Sequence, residues 1–249
     1  MKTRFLKIVL VGFVSLFLTF SESKAQALLE LETGVVFSGY NDVRIPGDQG
    51  TLFSFSRELE ASPKVFYRLR GGYTFGTRHN ISVLYAPLTI NSEGMISENL
   101  LFEGVEFPSA TPLEGSYKFN SYRITYRYDI VERPRFEFGL GFTAKIRDAS
   151  IKINSASQES EKTNVGFVPI VNIRLDWMIN DKLSLLLDGD ALAAPQGRAE
   201  DIFIGTSYKV SDNIGLKAGY RILEGGADND EVYNFALFHY ASVGIFLYL

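Results

Sequence analysis

The chain has 249 residues, 46% of them hydrophobic and 14% aromatic, with 22 glycines and no cysteine. Without cysteine there are neither disulfides nor thiolate metal sites, and a formal net charge of −4 supplies no basic face for nucleic acid. After residue 25 no stretch approaches the roughly 18 uncharged apolar residues of a membrane helix.

The N-terminus reads as a secretory signal peptide over residues 1–25. Lys2, Arg4 and Lys7 form its basic region, Ile8–Phe20 its apolar stretch, and Ser23-Lys24-Ala25 an A-x-A-like cleavage site. The apolar stretch is short for a helix crossing a core of about 30 Å, so an uncleaved anchor fits less well. Cleavage removes Lys2, Arg4, Lys7 and Lys24 with one acid, Glu22, leaving 21 basic and 28 acidic side chains and a net charge of −7. An exported chain of this kind must find its stability in a large core or in a bilayer. Residues 26–249 fit one domain without internal repeats.

Alternation with a period of two predicts ten strands, at about 28–40, 62–75, 79–93, 116–130, 134–153, 163–178, 182–192, 200–210, 214–224 and 233–249. Eight or twelve strands remain open, because Thr51–Ser56 and Leu100–Phe107 are apolar enough to be extra strands, loop extensions or pieces folded over a mouth. In 117–128, Tyr122, Ile124, Tyr126 and Tyr128 share one face and Ser121, Arg123, Thr125 and Arg127 the other. Short turns are predicted at Gly76-Thr77-Arg78, Val131-Glu132-Arg133, Ile179-Asn180-Asp181 and Ser211-Asp212-Asn213. A three-residue loop keeps the apolar sets of both strands on one side; a two-residue loop would separate them. The longer and more polar segments Asn41–Ala61, Gly94–Gly115, Asn154–Lys162, Ala193–Ala199 and Gly225–Val232 read as loops at the opposite rim.

Short turns at one end and long loops at the other are the plan of an outer-membrane barrel. Tyr73, Phe75, Tyr126, Tyr128, Phe136, Phe138, Trp177 and Tyr208 lie on the apolar face within a few residues of a short turn. That is an aromatic girdle at one height, where amphipathic rings meet the membrane–water interface. A core-facing sheet has no reason to sort its aromatics by depth, although a soluble extracellular β-barrel is the remaining rival. The expected fold is an all-β, closed, antiparallel up-and-down transmembrane β-barrel. Its first and last strands must pair, since an open edge in hydrocarbon strands backbone polar groups.

The last strand ends Val243-Gly244-Ile245-Phe246-Leu247-Tyr248-Leu249, apolar at alternate positions up to the carboxylate. This resembles the C-terminal signature of Gram-negative outer-membrane barrels, which usually end in Phe where this chain ends in Leu. The whole of 26–249 is similar in plan to small OmpA-like and OmpW-like barrels. The resemblance implies residence in the cell outer membrane among its lipids and insertion by the barrel-assembly machinery, and carries over no active site.

On this assignment the inward face holds Glu30, Glu32, Lys64, Arg68, Arg70, Arg123, Arg127, Glu137, Lys145, Arg147, Arg174, Asp176, Asp188, Asp190, Asp201, Lys209, Lys217 and Arg221. A charge network is expected around Arg123, Arg127, Glu137, Lys145, Arg147, Arg174, Asp176, Asp188, Asp190 and Arg221. Arg127 would lie opposite Glu137, and Arg174 diagonal to Asp188. A salt-bridged plug is preferred over a polar conduit, because barrels near eight strands are just filled by side chains.

Asp188 and Asp190 could join Glu200, Glu224, Asp228, Asp230 and Glu231 in an acidic mouth suited to Ca²⁺ or acid–base work. The spacing matches no tight metal signature, so no metal is expected. There are two histidines. His79 follows a short turn, and His239, on the lipid-facing parity of the last strand, is a weak catalytic candidate with no obvious partner. No G-x-S-x-G, H-E-x-x-H or phosphate-binding glycine loop occurs, and no cofactor is expected. The preferred role is a non-enzymatic barrel for envelope integrity or surface interaction. The alternatives are a narrow channel for ions or small solutes, and a lipid A-modifying or proteolytic barrel enzyme.

Overall fold

The computed structural model describes residues 26–195 and 197–249. The expected signal peptide, residues 1–25, lies outside the described residues. The regular structure is all β: β1 (Gln26–Arg44), β2 (Phe53–Ser54), β3 (Leu59–Ala61), β4 (Lys64–Phe75), β5 (His79–Ala86), β6 (Thr89–Met95), β7 (Leu100–Phe102), β8 (Val105–Phe107), β9 (Pro112–Arg133), β10 (Phe136–Asn154), β11 (Glu159–Met178), β12 (Leu183–Ala194), β13 (Gly197–Lys209), β14 (Ile214–Asp228) and β15 (Tyr233–Tyr248). Ten staves close an antiparallel barrel: β1, β4, β5 with its continuation β6, and β9 to β15. The seam is β1 against β15, paired from Leu28↔Tyr248 to Arg44↔Tyr233, so no edge is left open. Alternate side chains make an exposed apolar exterior: Val65 is 71% exposed, Ile124 61%, Phe167 65% and Ile204 58%.

The short turns preserve facing by two different devices. At Gly76-Thr77-Arg78 the expected three-residue loop forms, with Gly76 at φ 65°, a conformation that costs glycine little. At the second turn the loop is Pro134-Arg135 rather than Val131-Glu132-Arg133. A two-residue loop alone would flip one strand, but a bulge leaves Ile130 unpaired and restores Tyr128↔Leu140 and Tyr126↔Phe142. The third turn sits one residue later than expected, over Asn180-Asp181-Lys182. There Asn180 Oδ1 accepts from the amides of Lys182 (2.9 Å) and Leu183 (3.0 Å). The fourth is Ser211-Asp212-Asn213, as expected, closed by the Val210 amide donating to the Ile214 carbonyl at 2.9 Å.

The opposite rim departs from the sequence reading. Of the five polar segments read as loops, three are largely strand. β10 and β11 pair up to Asn154↔Glu159, β12 and β13 up to Ala194↔Gly197, and β14 and β15 up to Asp228↔Tyr233. Polar composition marks water around a segment, and outside the membrane a ladder needs no greasy face. Only 45–63 and 96–111 fold as loops, and they turn inward over the mouth. Within them β2 pairs with β1 and β3 with β6, while β7 and β8 form a hairpin around Glu103 (φ 46°) and Gly104 (φ 77°).

Wall height is uneven. β9, β10 and β11 have 22, 19 and 20 residues, against 12 and 13 for β12 and β13. A tilted crossing takes about 9–11 residues, so the first three rise well above the membrane and the last two barely clear it. β11 and β12 pair only between Met178↔Ser184 and Val171↔Ala191, leaving a gap in the wall above Val171. Pro169 lies on that freed stretch, the kind of position in a sheet that tolerates a residue without an N–H.

Candidate functional site

The lumen is stratified, and the staves determine the strata. Near mid-height the inward positions of β1, β4, β9, β12, β13 and β14 are charged. Arg221 donates to Glu32 Oε1 through Nε (2.7 Å) and to Asp201 through Nη1 (2.5 Å). Arg68 reaches Asp201 at 2.9 Å, Arg123 reaches Asp190 at 2.6 Å, and Arg70 reaches Asp188 at 2.7 Å. Lys217 bridges Glu30 and Glu32. Five acids (Glu30, Glu32, Asp188, Asp190, Asp201) thus meet five cations (Arg68, Arg70, Arg123, Lys217, Arg221).

Neutral polar groups complete the layer. Thr143 and Asn172 donate to Asp190 at 2.7 and 2.9 Å, Ser242 donates to Glu32 at 2.7 Å, and Ser121 accepts from Arg123 at 2.8 Å. Burying charge is tolerable only with such pairing, which here leaves Asp188 Oδ1 and Asn172 Oδ1 without a partner, and removing one member of a buried pair costs about 3–5 kcal/mol.

On the short-turn side of this layer lies a cavity of about 430 Å³ lined by Arg70, Arg127, Asp129, Glu137, Arg174, Asp176 and Tyr248. On the loop side the lumen is apolar. Phe53, Phe55, Leu59, Leu100, Phe102 and Phe107 from the folded-in loops pack with Val36, Tyr117, Ile151, Ile153, Phe238 and Tyr240 of the staves. A second cavity, of about 560 Å³, lies beside that core under the low wall.

The charged residues named from sequence separate among these strata. Arg123, Asp188, Asp190 and Arg221 join the ionic layer. Arg127 pairs with Asp129 at 3.0 Å and not with Glu137, because the turn at Pro134-Arg135, with the bulge at Ile130, sets Arg127 opposite Gly141. Arg174 lies directly opposite Asp188 instead of diagonal to it, and its closest ion pair is Asp176 at 3.6 Å. Lys145 and Arg147 stand outside the network. The Lys145 ammonium sits 4.7 Å from the centroid of the Phe119 ring, and Arg147 donates to Asn164. The girdle residues Tyr73, Phe75, Tyr126, Tyr128, Phe136, Phe138, Trp177 and Tyr208 lie near the short-turn rim, with Trp177 55% exposed and Tyr208 45%.

The acidic mouth does not assemble. Asp188 and Asp190 are consumed by the ionic layer, and Glu224 is held by Arg198 at 2.8 Å and by the Tyr40 hydroxyl. Among the described residues no three His, Asp or Glu side chains converge as metal ligands. At the exposed β10–β11 tip, the hydrogen bond from Lys152 to Glu159 holds the ammonium pKa above its ordinary value. His79 stacks on Phe75, and its Nδ1 lies 2.9 Å from the Tyr126 hydroxyl. His239 faces outward, stacked on Tyr220 and hydrogen-bonded to its hydroxyl.

The partner roles of Ser121, Thr143, Asn172 and Ser242 were not read, because nothing but inward parity marks these uncharged residues. The apolar layer was read only as one of three options for Thr51–Ser56 and Leu100–Phe107, pieces folded over a mouth, and its stave partners were not read. Its phenylalanines lie in segments with no period.

No family model and no curated protein matches the chain. Among solved structures it is similar to the outer membrane protease OmpT of Escherichia coli, at 9% identity over 93% of this chain and 99% of that one, with a TM-score of 0.58. Ail, the attachment invasion locus protein of Yersinia pestis, aligns at 12% identity over 90% and 99%, with a TM-score of 0.37. The toluene transporter TodX of Pseudomonas putida aligns at 11% over 92% and 91%, with a TM-score of 0.32. The first of these shows the fold. An outer-membrane β-barrel is what this sequence builds.

Proposed function

We propose that this barrel is a non-conducting, non-enzymatic component of the envelope that presents a rigid, β-extended surface to the outside. The observation that carries the reading is the ionic layer. Six staves send charged side chains across the lumen, and the five acids and five cations pair with one another. A conduit would need polar groups left free to hand an ion along, and here they are spent on each other. Above the layer, the apolar loop core makes a second obstruction. His239 has Tyr220, and neither a serine nor a carboxylate, as its hydrogen-bond partner among the described residues, so a nucleophile or acid partner for catalysis is missing from its side.

Lipid around the apolar exterior and insertion by the barrel-assembly machinery belong to the same reading. The test is conductance of the purified protein in planar bilayers. Silent traces are expected from preparations whose gel mobility shifts on boiling, as a folded barrel's does. Discrete, reproducible openings of the wild-type protein would overturn the reading in favour of the narrow channel.

A further inference from the structure

The cavity under the low wall contains a charge imbalance that the mid-height ionic layer avoids. Lys145 is 2% exposed, and no carboxylate lies within 4 Å of its ammonium among the described residues. Its acidic neighbours, Asp190 and Asp201, are both paired with Arg123. Two residues along the same strand, Arg147 has a buried Nε without a hydrogen-bond partner. The cavity's other cations are matched, Arg198 by Glu224 at 2.8 Å and Lys162 by Glu103 at 3.0 Å. A buried cation facing apolar walls is costly unless an anion joins it.

The wall beside these two cations is apolar and open. Phe119, Ile151, Val168, Leu192 and Phe238 line the cavity, and so does Phe167, which is 65% exposed on the outside of the barrel. Outward Phe167 and inward Val168 can share one cavity only because β11 has lost its β12 neighbour there. The volume, about 560 Å³, falls within the ~300–1,000 Å³ of small-molecule sites.

We infer that this cavity binds a single-chain anionic amphiphile, its carboxylate or phosphate head on Lys145 and Arg147 and its tail against the apolar wall, admitted through the gap between β11 and β12. The ionic layer closes the lumen on the inner side, so the site holds its ligand rather than passing it on.

The experiment is a fluorescence titration of the purified protein in non-ionic detergent with a dansylated undecanoate, followed by competition with dodecanoate, dodecyl phosphate and dodecanol. These competitors share tail length and differ in head. Saturable binding is expected, with dodecanol competing at least tenfold less well than the better of the two anions. A preference for dodecanoate points to a free fatty acid and one for dodecyl phosphate to a lipid phosphate; both support the site. In Lys145→Met, which replaces a buried charge by a similar volume, the anion preference should vanish while dodecanol still competes. Arg147→Gln should weaken the preference to a smaller extent, and unshifted heat modifiability would show both variants folded. No saturable binding, equal competition by all three heads, or an undiminished anion preference in folded Lys145→Met would each overturn the inference.

Discussion

The ionic layer and the apolar layer above it fill the same lumen by opposite means, and they fail differently. In the ionic layer the partners are distant in sequence: Arg221 binds Glu32 across 189 positions, and Arg68 binds Asp201 across 133. Such pairs tie one wall of the barrel to another, while Arg70–Glu30 and Arg221–Asp201 join neighbouring staves. In the apolar layer Phe53, Phe55, Phe102 and Phe107 come from two loops and pack on stave rings such as Tyr117 and Phe238, so they hold those loops to the barrel. The loss of one charged group leaves its partners buried and short of countercharge. Loss of one ring leaves a hole into which a loop can settle.

The largest effect is expected at Arg221, which is 1% exposed and serves both Glu32 and Asp201. Arg221→Ala should destabilise the barrel by about 3–5 kcal/mol, read as the urea concentration at which the fast-migrating folded band is lost. The double change Arg221→Met, Glu32→Gln removes one cation and one acid, keeps Asp201 on Arg68 and Arg123 and Lys217 on Glu30, and should recover much of that loss. If it is as unstable as the single variant, volume rather than charge governs the layer.

In the apolar layer, Phe102→Ala should cost about 3–5 kcal/mol locally, since Phe102 is fully buried and contacts Phe53 edge-on at a centroid distance of 6.2 Å. The expected readout is rapid proteolysis within 96–111 with the folded band intact. Loss of the barrel itself would erase the contrast between the layers.

How far these layers were legible follows from the same distinction. Period-two alternation finds the staves, because the outward face must be apolar through the whole crossing. Parity survives even where the turn is misplaced: the Pro134-Arg135 loop with its bulge at Ile130 produces the facing that a three-residue loop would have produced. Which charges pair is another matter, because partners across the lumen are chosen by barrel closure and stave tilt, neither of which is local. The apolar layer left no periodic trace, since Phe53, Phe55, Phe102 and Phe107 pack from short irregular pieces. Polar tips such as 159–162 and 225–228 read as loops because composition reports the solvent and not the ladder.

A smaller effect separates the local pair from the one expected by register. A double-mutant cycle on Arg127 and Asp129, 3.0 Å apart, should give a coupling of roughly 0.5–1 kcal/mol. The cycle on Arg127 and Glu137, which the turn at Pro134-Arg135 keeps out of register, should give a coupling within about 0.3 kcal/mol of zero. Equal couplings would mean that the second turn lies at Val131-Glu132-Arg133 and not at Pro134-Arg135.

The smallest effect lies at the tip of the β7–β8 hairpin, where two opposing contributions meet. Glu103 occupies the left-handed region at φ 46°, next to Gly104 at φ 77°, and a side chain there costs about 1–2 kcal/mol unless it is Asn or Asp. Against that, Glu103 pairs with Lys162 at 3.0 Å in a half-exposed setting, worth about 0–1 kcal/mol. Glu103→Asn relieves the first and forfeits the second, so the net gain should be at most about 1 kcal/mol at low salt. Salt screens the ion pair but not the backbone preference, so the variant's advantage should grow as salt is raised from 0.05 to about 0.5 M. Protease protection of 96–111 reports it. An advantage that shrinks with salt would mean that the Lys162 contact, and not the turn, sets the position of this hairpin over the apolar layer.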